Sequence, residues 1–154
     1  MDRKYQKYFH EILCKDGETL KQYRKMFDTK RTPEEKRKEF NKKYDELFER
    51  LRKEAGLKSK EKCKCMLQYA EDCDIKSGVE IDHIIPLKSN QLNKEIKHTK
   101  TQKGRKVESE SFGSNDISNL IICCKNCNSK KKHIILERNE MQKILERKAK
   151  QKKR

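Results

Sequence analysis

Asp82-His83-Ile84-Ile85-Pro86, Asn119-Leu120-Ile121-Ile122 and Cys124-Lys125-Asn126-Cys127-Asn128 decide how this chain is read. Val79-Glu80-Ile81 alternates into Asp82 behind a Ser77-Gly78 turn, which predicts a short strand. Asn119 to Cys123 predicts a second strand, and the residues after Cys124 a helix. A carboxylate and an imidazole would then close one strand, an amide would open the next, and a CxxC turn would lead into the helix.

Cys124 and Cys127 have the spacing that lets one tight turn present two thiolates to a single zinc. A tetrahedral site needs two more ligands. Cys65 and Cys73, just ahead of the first strand, are the natural pair, with Cys63 the alternative to Cys65. Cys123 should point opposite to Cys124 if the strand extends that far, and so pack in the core. Cys14 reads as a small buried residue.

A zinc would matter because little else holds such a chain. Of 154 residues, 32% are hydrophobic and 43% charged, with no Trp, so only a modest core can form. No apolar run is long enough for a membrane span, and residues 1 to 13 lack the apolar stretch of a signal peptide. The expectation is therefore a cytoplasmic protein of bacterial or phage type with no membrane partner, where clustered cysteines bind zinc rather than pair. Net charge is +16, and half of that excess lies between Lys130 and Arg154. Such a block favours a polyanion, and nucleic acid is the commonest one in that compartment.

Around this centre the chain reads as helical arms. Tyr5, Tyr8, Phe9, Ile12 and Leu13 keep helical spacing until Asp16-Gly17, and Leu20, Tyr23 and Phe27 resume it. Thr32-Pro33-Glu34-Glu35 is a helix start, with a hydroxyl cap, Pro at the first position and Glu for a capping box. The helix it opens should carry Phe40, Tyr44, Leu47, Phe48 and Leu51 on one face and stop near Gly56. Met141, Ile144 and Leu145 predict a last helix in a basic tail. The expected organisation is a helical region 1–56, a core 57–133 with a long polar connection 88–118, and a basic helix and tail 134–154. His10 is expected to pack on the first helix, and His98 and His133 to be exposed or phosphate-facing.

In their order and spacing, Asp82-His83-Ile84-Ile85-Pro86, Asn119-Leu120 and Cys124-Lys125-Asn126-Cys127-Asn128-Ser129-Lys130-Lys131 resemble the HNH endonucleases, over about residues 63 to 133. The resemblance implies an α+β fold: a small ββα-metal (His-Me) finger with a structural zinc knuckle. It implies that His83 is the general base, that Asp82 is an oxygen ligand to one divalent ion, and that Asn119 holds the base and its loop in register. Asn128 stands where many members have His; its carboxamide oxygen is a hard ligand that suits Mg²⁺ or Mn²⁺.

The function so implied is hydrolysis of double-stranded DNA to 5′-phosphate and 3′-hydroxyl ends by a monomer or homodimer, with Lys130, Lys131 and Lys132 on phosphates. An imidazole near its ordinary pKa of about 6.5 would make the rate rise with pH through that value. The runner-up is a zinc-stabilised module that binds nucleic acid without cutting it. Intact Asp82, His83 and Asn119 favour the enzyme.

Overall fold

The computed structural model describes residues 1–54, 64–96 and 107–152. Its centre is an antiparallel hairpin of β1 (Val79–His83) and β4 (Leu120–Cys124), in which Asp82 lies opposite Ile121 and His83 opposite Leu120. Helix α5 (Lys125–Lys131) follows β4 without a linker, because Cys124 ends the strand and caps the helix, its sulfur accepting from the Cys127 amide.

Alternation divides the hairpin into two faces. Ile81, Leu120 and Ile122 pack against Phe40, Phe48 and Leu51. Ile121 and Cys123 face a larger cluster that gathers Phe9 and Leu13 from the N-terminal helix, Phe112, and Met141 and Ile144 from the C-terminal one. Cys123 and Cys14 are buried there, as their sequence positions suggest.

The arms form the helices that the sequence predicts, with one difference. Helix α1 spans Arg3–Leu13, a 3₁₀ segment spans Leu20–Met26, and Thr32 caps α2 (Pro33–Lys42) by accepting from the Glu35 amide at 3.2 Å. The single long helix expected after Thr32 bends at Lys43 into α2 and α3 (Tyr44–Glu54). The Lys43 amide still reaches Glu39 O and the Leu47 amide reaches Lys43 O, so the turn is a bend rather than a break. It lets α2 keep Phe40 on His83 while α3 lays Phe48 and Leu51 on the hairpin. His10 is exposed on α1, not packed, because the buried stripe runs through Tyr5, Phe9, Ile12 and Leu13.

The described parts of the polar connection pair with each other. Strand β2 (Lys88–Ser89) pairs with β3 (Glu110–Ser111), α4 (Gln91–Ile96) follows β2, and a 3₁₀ turn at Ile117–Asn119 leads into β4. Leu92 and Phe112, at 0% and 1% exposure, anchor it; polar composition hid two residues that suffice. A Cβ at Gly113 would stand 1.9 Å from the Ile85 carbonyl oxygen, so only glycine lets this segment pass so close to the loop after His83.

The last helix, α6 (Arg138–Lys152), is not a free basic arm. Met141 and Ile144 are buried, Arg147 donates to the carbonyls of Met66 and Leu67 at 3.0 Å each, and Lys148 donates to Leu120 O at 2.6 Å. Among the described residues no helix is long and apolar enough to cross a membrane.

Candidate active site and metal centre

The sulfurs of Cys65, Cys73, Cys124 and Cys127 all lie within 4.8 Å of one another, and those of Cys73 and Cys124 are 4.0 Å apart. Four thiolates at ~2.3 Å from a common zinc would stand roughly 3.8 Å apart, so the cluster could hold such an ion with small adjustment. These are the four cysteines named from spacing; Cys63 lies outside the described residues. The segment after Cys65 brings the two halves together. Met66 N donates to Ile122 O at 2.9 Å, the left-handed Gln68 turns the chain, and the amides of Tyr69 and Ala70 each donate to Cys127 Sγ at 3.3 Å.

Amides aimed at sulfur favour thiolate. Burial pushes the Cys73 and Cys127 thiols up. Cys124 is buried too, but the amides of Cys127 and Asp74 bring it down to about 7. A dication at the centre of such a set holds all its thiols deprotonated.

At the other end of the hairpin, Asp82 and His83 are each 5% exposed and project to opposite faces of β1. Asp82 faces α5, with Oδ2 3.1 Å from Lys131 Nζ in an ion pair whose members are both buried, yet without a hydrogen bond of good geometry. Lys131 Nζ donates instead to His83 O at 2.9 Å. Burial raises the Asp82 carboxyl above its ordinary value, and the Lys131 ammonium opposes that. Lys131 is the main correction to the sequence reading: it is fully buried and counters Asp82, so it does not face a phosphate, while Lys130 and Lys132 are exposed. The helical period places Lys131 on the inner face of α5 and its neighbours outside.

Asn128 is half-buried one turn before Lys131, and its amide nitrogen donates to Glu80 Oε2 at 2.7 Å. Glu80 shares a face of β1 with Asp82. The sequence analysis gives Glu80 no role beyond the strand, although its i, i+2 spacing from Asp82 is visible.

His83 projects toward α2, its ring 4.6 Å from that of Phe40. Its Nε2 bonds Asn115 Oδ1 at 2.9 Å. The Asn115 amide nitrogen donates to Lys36 O at 2.8 Å and Glu39 Oε1 at 3.2 Å, so the oxygen must face the imidazole. Nε2 is therefore the protonated nitrogen, and Nδ1 carries the lone pair. Burial, seconded by Arg37, Lys131 and Lys36 and opposed by Asn115, lowers the His83 pKa to about 3, far from the unperturbed value expected from sequence.

Asn119 is fully buried and clamps the loop after His83. It accepts from Ile85 N at 2.8 Å and donates to Ile85 O at 3.0 Å and Ser114 O at 2.9 Å. It thus holds the loop, while the imidazole itself is held by Asn115, four residues earlier. Lys36 braces the same region from α2: fully buried, its Nζ donates to Asp28 O, Leu87 O and Gly113 O, and burial lowers its pKa to about 8. Neither residue could have been singled out. Asn115 sits in a polar turn, and Lys36 is one of 41 basic residues.

Comparison of the chain with family models, with curated proteins and with solved structures returns no match.

Proposed function

We propose that this protein is a metal-dependent endonuclease of the HNH type that hydrolyses DNA. The observation that carries the reading is the antiparallel hairpin with α5, which sets Asp82 and Asn128 on the β1–α5 seam and gives His83 a partner at Nε2. Asp82 Oδ2 is a buried carboxylate oxygen that lacks a hydrogen bond, and Asn128 commits its nitrogen to Glu80, which leaves a carboxamide oxygen as ligand atom. That donor set fits a hard dication such as Mg²⁺ or Mn²⁺, which when bound would stabilise charge on the phosphate and the departing oxygen.

The chain's own part is proton transfer and positioning. His83 Nδ1 takes the proton of the attacking water as the water oxygen bonds to phosphorus. The bond from phosphorus to the 3′ oxygen breaks, and a proton from solvent completes the 3′-hydroxyl, so the ends are 5′-phosphate and 3′-hydroxyl. Asn119 and Gly113 keep the loop that follows the base close and rigid.

The second reading, a zinc-stabilised module that binds nucleic acid without cutting, draws support from the burial of both Asp82 and His83 and from the ammonium already beside Asp82. Plasmid incubated with the purified protein separates the two. The enzyme should nick or linearise it with Mg²⁺ or Mn²⁺ but not with EDTA, and His83→Ala should lose ~10²–10⁴-fold in rate while still binding DNA. Plasmid left intact with either ion, or cut at the wild-type rate by His83→Ala, would make the binding module the better account.

A further inference from the structure

An open cleft of about 390 Å³ lies between α2 and the turn that follows α5, lined among others by Arg37, Lys38, Asn41, Leu87, Lys88 and His133. We propose that this cleft is the seat of the nucleic-acid backbone, with α2, a helix outside the HNH-like segment, forming one wall and presenting cations to successive phosphates. The inference rests on the nuclease reading for its substrate and adds the surface on which that substrate lies.

Three observations point the same way. First, the charge is one-sided. Arg37, Lys38, Lys88 and His133 are all exposed, and Glu34 is the acidic residue on the lining. Second, the cations crowd one spot: burial lowers the His133 pKa, the nearby Lys88, Arg37 and Lys131 lower it further, and Asp82 opposes them. Arg37, Lys38 and Lys88 outnumber Glu34 on the lining, and Asp82 is buried and paired with Lys131, so the exposed excess is positive and is relieved by a polyanion. Third, the cleft adjoins the candidate chemistry. Arg37, its side chain 5.5 Å over the Phe40 ring, lies within electrostatic reach of both Asp82 and His83, the last two residues of β1.

Beside its cations, the lining carries groups for the rest of a nucleotide. Asn41 offers an amide to a phosphate or sugar oxygen, and the half-buried Pro33 offers apolar surface to a sugar. Lys130 and Lys132, exposed on the last turn of α5 and just after it, would extend the basic track beyond His133.

The test uses the full chain and a fluorescein-labelled 20-base-pair duplex, with the same sequence as a single strand, titrated by anisotropy in EDTA over a range of NaCl. Lys38→Glu/Lys88→Glu is compared with Lys7→Glu/Lys21→Glu, which makes the same change in net charge at exposed sites off the cleft. The cleft variant should lose at least tenfold in affinity and should flatten the slope of log affinity against log salt by ~1.8 for duplex, two phosphate contacts at ~0.9 each. The off-cleft variant should change affinity by less than about threefold with an unaltered slope. Lys38→Gln, which cannot perturb folding by charge reversal, should show half the slope change. Equal losses in the two double variants, or an unaltered slope in Lys38→Gln, would overturn the proposal. Because binding is read without divalent ions, a protein that binds through the cleft but never cuts would refute the nuclease reading and leave the cleft standing.

Discussion

His83 donates through Nε2 to Oδ1 of Asn115 at 2.9 Å, and Asn115 is turned to accept by its own two bonds to α2. The amide therefore selects the imidazole tautomer in which Nδ1 is the proton acceptor. On the nuclease reading, Asn115 is a positioning residue. Asn115→Ala should lower the cleavage rate by ~10–100-fold without changing DNA affinity, and Asn115→Ala/His83→Ala should be no slower than His83→Ala alone. Additive losses in the double variant would show that Asn115 acts elsewhere.

The pH profile should differ from that of an exposed histidine. With its folded pKa near 3, His83 is neutral across the working range, so single-turnover cleavage should show no step near pH 6.5 attributable to this group. Stability carries the signature instead. The unfolded chain takes up the proton near pH 6.5, so the contribution of neutral His83 is full above that value and is lost as pH falls toward 3. The raised Asp82 carboxyl works in the opposite sense. Urea midpoints should fall between pH 6 and 4 more steeply for wild type than for His83→Gln; parallel curves would contradict the assignment.

Removing Lys131 should cost stability, whereas removing its neighbours should not. Lys131→Met strands a buried carboxylate and should destabilise by ~3–5 kcal/mol. Lys130→Gln and Lys132→Gln should stay within about 0.5 kcal/mol, as exposed substitutions do. Chemical denaturation of the three variants checks this, and equal effects would mean that Lys131 is not buried in solution.

Four convergent thiols predict one zinc per chain by elemental analysis. Cys124→Ser/Cys127→Ser should lose the metal and melt far lower, since structural zinc sites contribute roughly 10–16 kcal/mol of apparent binding energy. Unchanged metal content and melting would refute the site. Asp82→Ala and Asn128→Ala should keep this zinc, because neither supplies a thiolate.

Truncation after His133 should unfold the protein rather than merely weaken its hold on nucleic acid. It removes Met141 and Ile144, at 0% and 1% exposure, and the carbonyl clamps from Arg147 and Lys148. Each buried side chain is worth ~2–5 kcal/mol on deletion. Circular dichroism of the truncated chain, run beside Met141→Ala, reads the outcome; a native melting curve would show that the core does not depend on α6.

What the sequence determined by itself is what short-range chemistry writes into a few consecutive residues. Alternation in Val79 to His83, the hydroxyl cap and proline at Thr32-Pro33, and the CxxC turn each constrain a local backbone, and each element appears where those signals stand. The four-cysteine cluster was legible too, because Cys65 and Cys73 lead into one strand, Cys124 ends the other and Cys127 follows it in α5. Only the tertiary structure decided the rest. It turned Lys131 inward to Asp82, brought Asn115 to His83 across 32 residues, and ran Lys36 to Gly113 across 77. It also made the C-terminal helix part of the core. A lysine or asparagine carries no local mark of its eventual partner, since the energy that buries it comes from groups the chain meets only when the helices close on the hairpin.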